Sequence, residues 1–298
     1  MTTSASPTPD GPATGSGPRI AFQGVAGAFS QRASLQFAPD AETVGYPTFR
    51  EGFAAVVAGA CHYACLPVEN SLAGSINQTY DLLTDSVLHV VGEQIVRVEH
   101  NLLAAPGTAL ADVRRVYSHT QALEQCRGFL LRHGLEAVTD FDTAGAAKLL
   151  SRRVEAGTAA GEAAIASLEA ADIYGLSVLA RNIEDMDFNY TRFFILGPDE
   201  APRGGGPQKT SLVLATRHRP GDLVRCLEIF PQNGINMTKL ESRPRRDKPW
   251  SYLFYIDIEG HLDDENVREA LTGLMRKAAF VKFLGSYPAA PNIAEIVK

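Results

Sequence analysis

The stretch AAIASLEAADIYGLSVLARNIEDMDFNYTRFFIL, Ala163 to Leu196, decides how the rest of the chain is read. Its first half places apolar residues at helical spacing and stops at Gly175, the residue type that most readily adopts the left-handed turn ending a helix. SVLA then reads as a short buried strand, and an acidic polar loop, Glu184 to Asn189, leads into a second apolar run, RFFIL. A hydroxyl (Thr191), a guanidinium (Arg192) and an aromatic ring (Phe193) are thus delivered together where a loop meets a buried strand. In a strand Thr191 and Phe193 share one face while Arg192 takes the other. Loops held between rigid elements often carry chemistry. A strand that merely begins with Thr-Arg is the plainer alternative, and the flanking sequence decides between them.

The chain has 298 residues, room for two or three domains with real cores. It is 45% hydrophobic and 21% charged, an ordinary globular composition. A net charge of −6 argues against nucleic acid as a partner. Cys61, Cys65, Cys126 and Cys226 are too few and too scattered for a disulfide framework and read as free thiols in a reducing compartment. Cys61-His62-Tyr63-Ala64-Cys65 is half of a zinc pattern with no second half, so no metal is expected. Residues 1–18, rich in Ser, Thr, Pro and Gly, read as a disordered tail without the basic start and apolar run of a secretory signal. No apolar segment approaches the roughly 18 residues that span a membrane. A cytoplasmic location is expected, with no membrane partner.

Working backwards from the central stretch, strands alternate with helices, which points to an α/β layer fold. Ile20-Ala21-Phe22 is a strand opening into GVAGAFS, where two glycines permit a tight turn and Ser30 begins a helix. The glycines match neither a phosphate-binding P-loop nor a dinucleotide fingerprint. Phe49 to Gly59 reads as a helix and Tyr63 to Val68 as a buried strand, followed by the polar run from Glu69, Asn70 and Ser71 to Asn77 and Gln78. That run is denser in polar groups than a capping box needs. Val87 to Val98 and His100 to Ala104 read as strands, with a crossing into a second lobe at about residue 100. Arg114 to Tyr117 is a strand, and Ser118 with Gln121 three residues on reads as the capping box of a helix running to about His133. Glu136 to Phe141 is a strand, Asp142-Thr143 caps the next helix, and Ala159 to Glu162 is a loop. Polar loops at Ser30, at Asn70 and Ser71, and at Ser118 all follow strands and open towards helices, and in α/β sheets such ends converge on a ligand crevice. Helix N-termini favour anions, so a cleft between two lobes for a small negatively charged molecule is expected.

Residues 201–208 are a Gly/Pro-rich linker. After it the order is strand (Thr210 to Thr216), helix (Asp222 to Pro231), strand (Asn236 to Ser242), strand (Tyr252 to Glu259), helix (Asp263 to Lys277), strand (Phe280 to Tyr287). This βαββαβ order predicts a ferredoxin-like small domain. Arg243, Arg245, Arg246 and Lys248 read as a solvated hairpin tip, while Glu241-Ser242-Arg243-Pro244 breaks a strand with mixed polarity.

Taken together, GVAGAFS, PVENSLAGSINQTYDLL, YSHTQALEQC, AAIASLEAADIYGLSVLARNI and NYTRFFIL resemble prephenate dehydratase. KTSLVLAT, PGDL, GINMTKLESRP, WSYLFYIDIEGH and FVKFLGSYP resemble an ACT domain. The resemblance implies a bilobal catalytic part over 19–200, similar to type II periplasmic binding proteins, with the second lobe at about 100–178. It implies an ACT regulatory domain over 209–287 and a C-terminal tail over 288–298. It implies conversion of prephenate to phenylpyruvate with loss of carbon dioxide and water, without metal or other cofactor. Thr191 is then the catalytic acid. Ser30, Asn70, Ser71, Ser118, Gln121, Asn189, Arg192 and Phe193 are the substrate-binding residues, and Glu69 orients its neighbours. Phenylalanine is implied as effector at a dimer interface, through Gly221, Asp222, Leu223, Val224, Glu241, Ser242, Arg243 and Pro244, in a homodimer or homotetramer. Asp222 stands where the family usually has alanine, Thr120 where proline is common, and Ala28 where threonine is commoner. The competing readings are arogenate dehydratase, the same chemistry on the transaminated substrate, and a non-catalytic sensor of small anions or amino acids.

Overall fold

The computed structural model of the chain describes residues 17–291 apart from 86, 218, 246, 247 and 249. The expected N-terminal tail up to residue 16, the end of the C-terminal tail and Arg246 lie outside the described residues. The first lobe is built from β1 (Arg19–Gln23), α1 (Phe29–Phe37), β2 (Glu42–Tyr46), α2 (Phe49–Val57), β3 (Tyr63–Asn70), β4 (Gly74–Ser75), α3 (Asn77–Thr84) and β5 (His89–Arg97). The chain then crosses to a second lobe of β6 (Asn101–Ala104), β7 (Arg115–His119), α4 (Thr120–Gln125), α5 (Arg127–Arg132), β8 (Glu136–Asp140), α6 (Thr143–Glu155), β9 (Glu162–Ala166), α7 (Leu168–Tyr174) and β10 (Ser177–Ala180). It returns to the first lobe as β11 (Tyr190–Gly197). The small domain follows with β12 (Gln208–Ala215), α8 (Asp222–Leu227), α9 (Ile229–Gln232), β13 (Met237–Pro244), β14 (Tyr252–Glu259), α10 (Glu265–Lys277) and β15 (Phe280–Pro288).

Three sheets result, ordered β2-β1-β3-β11-β5 with β4 on β3, β10-β6-β9-β7-β8, and β13-β14-β12-β15. In the first two, parallel pairs (β1 with β2 and β3, β7 with β8 and β9) sit beside the antiparallel return strands. The third sheet is antiparallel throughout, in the ferredoxin-like order. One face of this small sheet is covered by α8, α9 and α10 through Cys226, Phe230, Val267 and Leu274. Its other face presents Val213, Tyr255, Leu284 and Tyr287 to Tyr80, Leu83, Phe194 and Leu196 of the first lobe, so the small domain shares a core with it.

A proline inside β3 shapes the centre of the first sheet. Pro67 has no N–H to give to a ladder, and prolines inside sheets concentrate at irregularities. The register of β3 against β11 shifts there: Thr191 pairs with Asn70 and Arg192 with Glu69, but Phe193 pairs with Pro67, which leaves Val68 as the extra residue. Thr191 and Asn70 are thereby brought side by side at the end of the two strands.

Several expectations are corrected. Residues 162–166 form the all-buried strand β9, not the start of a helix; α7 begins only after Ser167, whose hydroxyl accepts from Ala170 N, and ends at Gly175 with φ +63° as expected. Ser118 belongs to β7 and is no cap: its hydroxyl donates to Ile165 O, while His119 Nδ1 accepts from Gln121 N and caps α4. The helix read as running to His133 is broken at Cys126 into α4 and α5, and the one starting at Asp222 into α8 and α9. β2, a short strand with no buried residue on the sheet edge, was not anticipated.

Candidate active site

The two lobes face each other across a cleft of ≈ 660 Å³. The first lobe contributes the turn after β1, the start of α3, the end of β3 and the start of β11; the second contributes the starts of α4 and α6. Cross-lobe bonds hold the walls together: Ser167 Oγ donates to Gly27 O at 2.7 Å, Tyr174 OH donates to Ala26 O at 2.9 Å, and Arg32 pairs with Glu169. Gly27 has φ +86°, and a Cβ there would lie 2.8 Å from Ala170 Cα, so only glycine lets this turn seat against α7.

The helix ends differ in how they treat their free N–H groups. α2, α4, α6 and α7 are capped by side chains of Thr48, His119, Asp142 and Ser167. Among the described residues no side chain caps α1 or α3, whose flanking residues Ala28 and Ile76 line the cleft. Their first N–H groups and dipoles therefore remain available to an anion in the cleft. Among the described residues lining the cleft none is lysine or arginine, and Asp142 is the one carboxylate. Burial raises the Asp142 pKa, opposed by the Gly145 N–H that it caps and by His119 and Lys148 nearby.

At the cleft floor the polarity of a hydrogen-bond chain can be deduced. Asn70 Oδ1 accepts from the backbone N–H groups of Leu72 (3.1 Å) and Ala73 (2.9 Å), which can only donate. Its amide orientation is thereby fixed, and Nδ2 shares its two hydrogens among Asn189 Oδ1 (2.8 Å), Tyr190 O (3.1 Å) and Thr191 Oγ (3.0 Å). Thr191 Oγ is thus an acceptor of this bond, and its own hydrogen is free to donate elsewhere. Thr191 is 8% exposed and lines the cleft beside Phe193. Asn189 Nδ2 in turn donates to Gln125 Oε1 at 2.9 Å, which also meets His100 Nε2 at 2.8 Å.

Arg192 faces away from all this. Its guanidinium donates to Glu93 (2.6 Å), Asp257 (2.5 Å) and Tyr287 OH (3.1 Å). Lys209 donates to Glu93 at 2.8 Å, and Ser211 Oγ donates to Asp257 at 2.5 Å, so the small domain supplies Asp257, Tyr287, Lys209 and Ser211 to the cluster. Burial weakens the Arg192 cation, but Asp257, Tyr287 and Glu93 more than offset it and raise its pKa well above the ordinary arginine value.

The family model described as prephenate dehydratase matches residues 20–201. The chain belongs to the prephenate dehydratase family. It is 41% identical over 287 residues to arogenate dehydratase/prephenate dehydratase 1, chloroplastic, of Arabidopsis thaliana, covering 91% of this chain and 72% of that protein. Among solved structures it superposes with a TM-score of 0.82 on the prephenate dehydratase of Arthrobacter aurescens in complex with L-Phe, at 34% identity over 90% of this chain and 89% of that one. A TM-score of 0.83 relates it to GqqA, described as a novel type of quorum quenching acylase, at 40% identity over 92% of this chain and 98% of that one.

The residues expected to serve a prephenate dehydratase divide in two. Ser30, Asn70, Gln121, Thr191 and Phe193 line the cleft, although the Ser30 hydroxyl donates to Gln23 O at 2.8 Å. Ser71, Ser118, Asn189 and Arg192 do not line it. Ser71 bridges Phe188 O and Tyr190 N, Ser118 is fully buried against Ile165 O, and Asn189 Oδ1 accepts from Asn70. Arg192 pairs instead with two carboxylates, Glu93 and Asp257. Glu69 pairs with Lys239 of the small domain at 2.9 Å. Gln23, Asn77, Gln78, His100 and Gln125 line the cleft but were not singled out as site residues; of these, only the polar run through Asn77 and Gln78 was a visible signal.

The segments expected to bind an effector lie apart in the chain. Gly221 (φ +78°) precedes α8, with Leu223 partly buried and Val224 exposed, and Asp222 pairs with Arg225 while accepting from Arg219 N. On β13, Ser242 and Pro244 face outwards, whereas Glu241 accepts from Ser75 Oγ at 2.8 Å and Arg243 meets Asp81 at 3.3 Å. Among the described residues no helix is long and apolar enough to cross a membrane, and no cluster of three or more His, Cys, Asp or Glu could hold a metal ion.

Proposed function

We propose that the chain converts prephenate to phenylpyruvate. The ring C–O bond breaks as Thr191 gives its proton to the departing hydroxide, forming water. The C–C bond to the ring carboxylate breaks in the same event, its electron pair completes the aromatic ring, and carbon dioxide leaves. A solvent water then reprotonates Thr191 and leaves as hydroxide, so one proton is taken up from the medium per turnover. Asn189 and Asn70 position Thr191; the uncapped starts of α1 and α3, together with Gln121, orient the two carboxylates; Phe193 keeps water away. The observation that carries this reading is the fixed Asn70 amide, which leaves the Thr191 hydrogen as a free donor at the floor of an anion-favouring cleft. A threonine hydroxyl is a weak acid in water, so its low exposure and fixed orientation matter.

The small domain is read as an ACT domain that binds phenylalanine between two copies of the chain. Support comes from its strand order and from a solved relative whose match extends past the family model and whose description includes L-Phe. The exposed edge strand β13, with Leu240 48% exposed, suits pairing with a second copy in a homodimer or homotetramer. Asp222, neutralised within its own helix by Arg225, does not bar an amino-acid carboxylate from that site. A cytoplasmic location, read from the sequence, belongs to the same proposal; the Arabidopsis relative is named chloroplastic.

Arogenate is the second reading, favoured by Asp142, a carboxylate in the cleft able to receive an ammonium group. Amide hydrolysis is disfavoured, because among the described residues Thr191 Oγ is bonded to the Asn70 amide and to no histidine or carboxylate that could activate it. The test is product formation from prephenate and from arogenate by wild type, Thr191→Val and Thr191→Ser, with and without phenylalanine. Turnover of prephenate lost in Thr191→Val and kept in part by Thr191→Ser supports the proposal. Faster turnover of arogenate favours the second reading, and tight binding without turnover of either substrate leaves the sensor.

A further inference from the structure

We propose that His100 is a positioning residue for this lyase reaction: its Nε2–H anchors the far end of a hydrogen-bond relay that fixes the direction of the Thr191 hydroxyl. The inference rests on the function proposed above. His100 lies on the first crossing between the lobes, 2% exposed, with its ring edge-on to Phe29 at a centroid distance of 6.1 Å. Its backbone is held from the second crossing, where Ile183 N donates to its carbonyl and the Glu184 carboxylate accepts from its N–H. The relay runs from His100 to Gln125 on the second lobe, to Asn189 on the second crossing, to Asn70 and to Thr191 on the first lobe.

Its polarity follows link by link. The backbone N–H groups of Leu72 and Ala73 hold Asn70 Oδ1, so Asn70 Nδ2 faces Asn189 Oδ1. Asn189 Nδ2 then faces Gln125 Oε1, and an atom that only accepts requires the hydrogen of the imidazole to sit on Nε2. Among the described residues, the buried His100 Nδ1 has no hydrogen-bond partner. That is costly for a group with a structural role alone. With the His100 donor removed, Gln125 loses one of two bonds that hold its amide. A flipped Gln125 would drive Asn189 to flip, and Asn189 would then present its NH₂ to the NH₂ of Asn70, which cannot follow. The break falls on the pair that orients Thr191.

The experiment compares wild type, His100→Leu and His100→Gln in steady-state turnover of prephenate and of arogenate, with the unfolding midpoint of each protein. Leucine keeps bulk and removes the donor; glutamine places an N–H near the former Nε2. The expected result is a kcat about 10- to 100-fold lower in His100→Leu, the scale of a small misplacement of a reacting group. Its KM should stay within about 3-fold, and His100→Gln should recover kcat to within about 5-fold of wild type, since binding is preserved and only the orientation is lost. Unchanged kcat in His100→Leu overturns the relay, as does an equal loss in both variants that tracks their unfolding midpoints. A wild type that turns over neither substrate removes the lyase reading itself, and the relay role with it.

Discussion

Replacing Asp257 by asparagine leaves Arg192 and Lys209 facing a single carboxylate in a largely buried site. In the intact cluster two cations, Arg192 and Lys209, meet two carboxylates, Glu93 and Asp257, at separations of 2.5 to 2.8 Å, and the Glu93 side chain is fully buried. Opposite charges about 4 Å apart attract by about 4 kcal/mol at an effective dielectric near 20. Removing one member of a buried pair costs about 3–5 kcal/mol, because the survivor stays buried and unmatched. Asp257→Asn and Arg192→Met are each expected to destabilise the chain by about that amount. The double variant leaves Lys209 and Glu93 as a matched pair, so its loss should fall short of the sum by about 2 kcal/mol or more, within the range for residues sharing a network. Guanidinium unfolding of wild type, both single variants and the double variant, followed by two probes whose transitions must coincide, gives the cycle. Single losses under about 1 kcal/mol, or losses that add within about 0.5 kcal/mol, would refute the reasoning.

Two further outcomes follow from the titratable groups of the cleft. Burial lowers the His100 pKa below its ordinary 6.5, against opposing contributions from Gln125 and Glu184. As pH falls through about 6.5 the unfolded chain therefore binds a proton before the folded chain does, and stability drops. Between pH 7 and 5 the wild-type unfolding free energy should fall more steeply than that of His100→Gln; parallel curves would contradict this. Asp142→Asn, which keeps a residue suited to capping α6, should raise kcat/KM for prephenate by lifting a like-charge repulsion and lower it for arogenate. Substrate competition measures the ratio, and an unchanged ratio would separate Asp142 from substrate choice.

Much of this architecture was written locally. The alternation of elements, the turn after β1, the Gly175 cap and the face shared by Thr191 and Phe193 depend on neighbours within a few residues. Misreadings arose where a long-range partner overrides a local pattern. AAIA is continuous and alanine-rich, so it fits a helix; it is a strand because β6 and β7 pair with it on both sides, and a buried strand shows no alternation. Ser118 has the sequence of a cap, yet it pairs with Thr139 of β8, and the His119–Asp140 pair carries the strand one residue beyond it. Arg192 was expected to bind substrate, but its partners Glu93 and Asp257 lie 99 and 65 residues away and come from a neighbouring strand and another domain. His100 sits in the crossing just before β6, and Gln125 is the last residue of α4. Only the polarity imposed by Leu72 N and Ala73 N at the opposite end of the chain of bonds makes them legible.

The lack of lysine and arginine among the described cleft residues fits the proposed reaction, which discharges a carboxylate. In the ground state the ring carboxylate carries a full charge; as the C–C bond breaks, that charge flows into the ring and neutral carbon dioxide departs. A cation paired with that carboxylate would stabilise the substrate more than the transition state, and such binding lowers KM at the expense of kcat. Helix N-termini and neutral amides grip a dianion less tightly and lose less when one charge disappears. Placing a cation at the start of α3 should expose the difference. Gln78→Lys, at a cleft position where the first turn of the helix holds no acidic residue, is expected to lower KM for prephenate and to lower kcat as well. Steady-state turnover at low and high salt measures both, since screening should return the variant towards wild type. A Gln78→Lys enzyme with a lower KM and a higher kcat would mean that positive charge assists the chemical step.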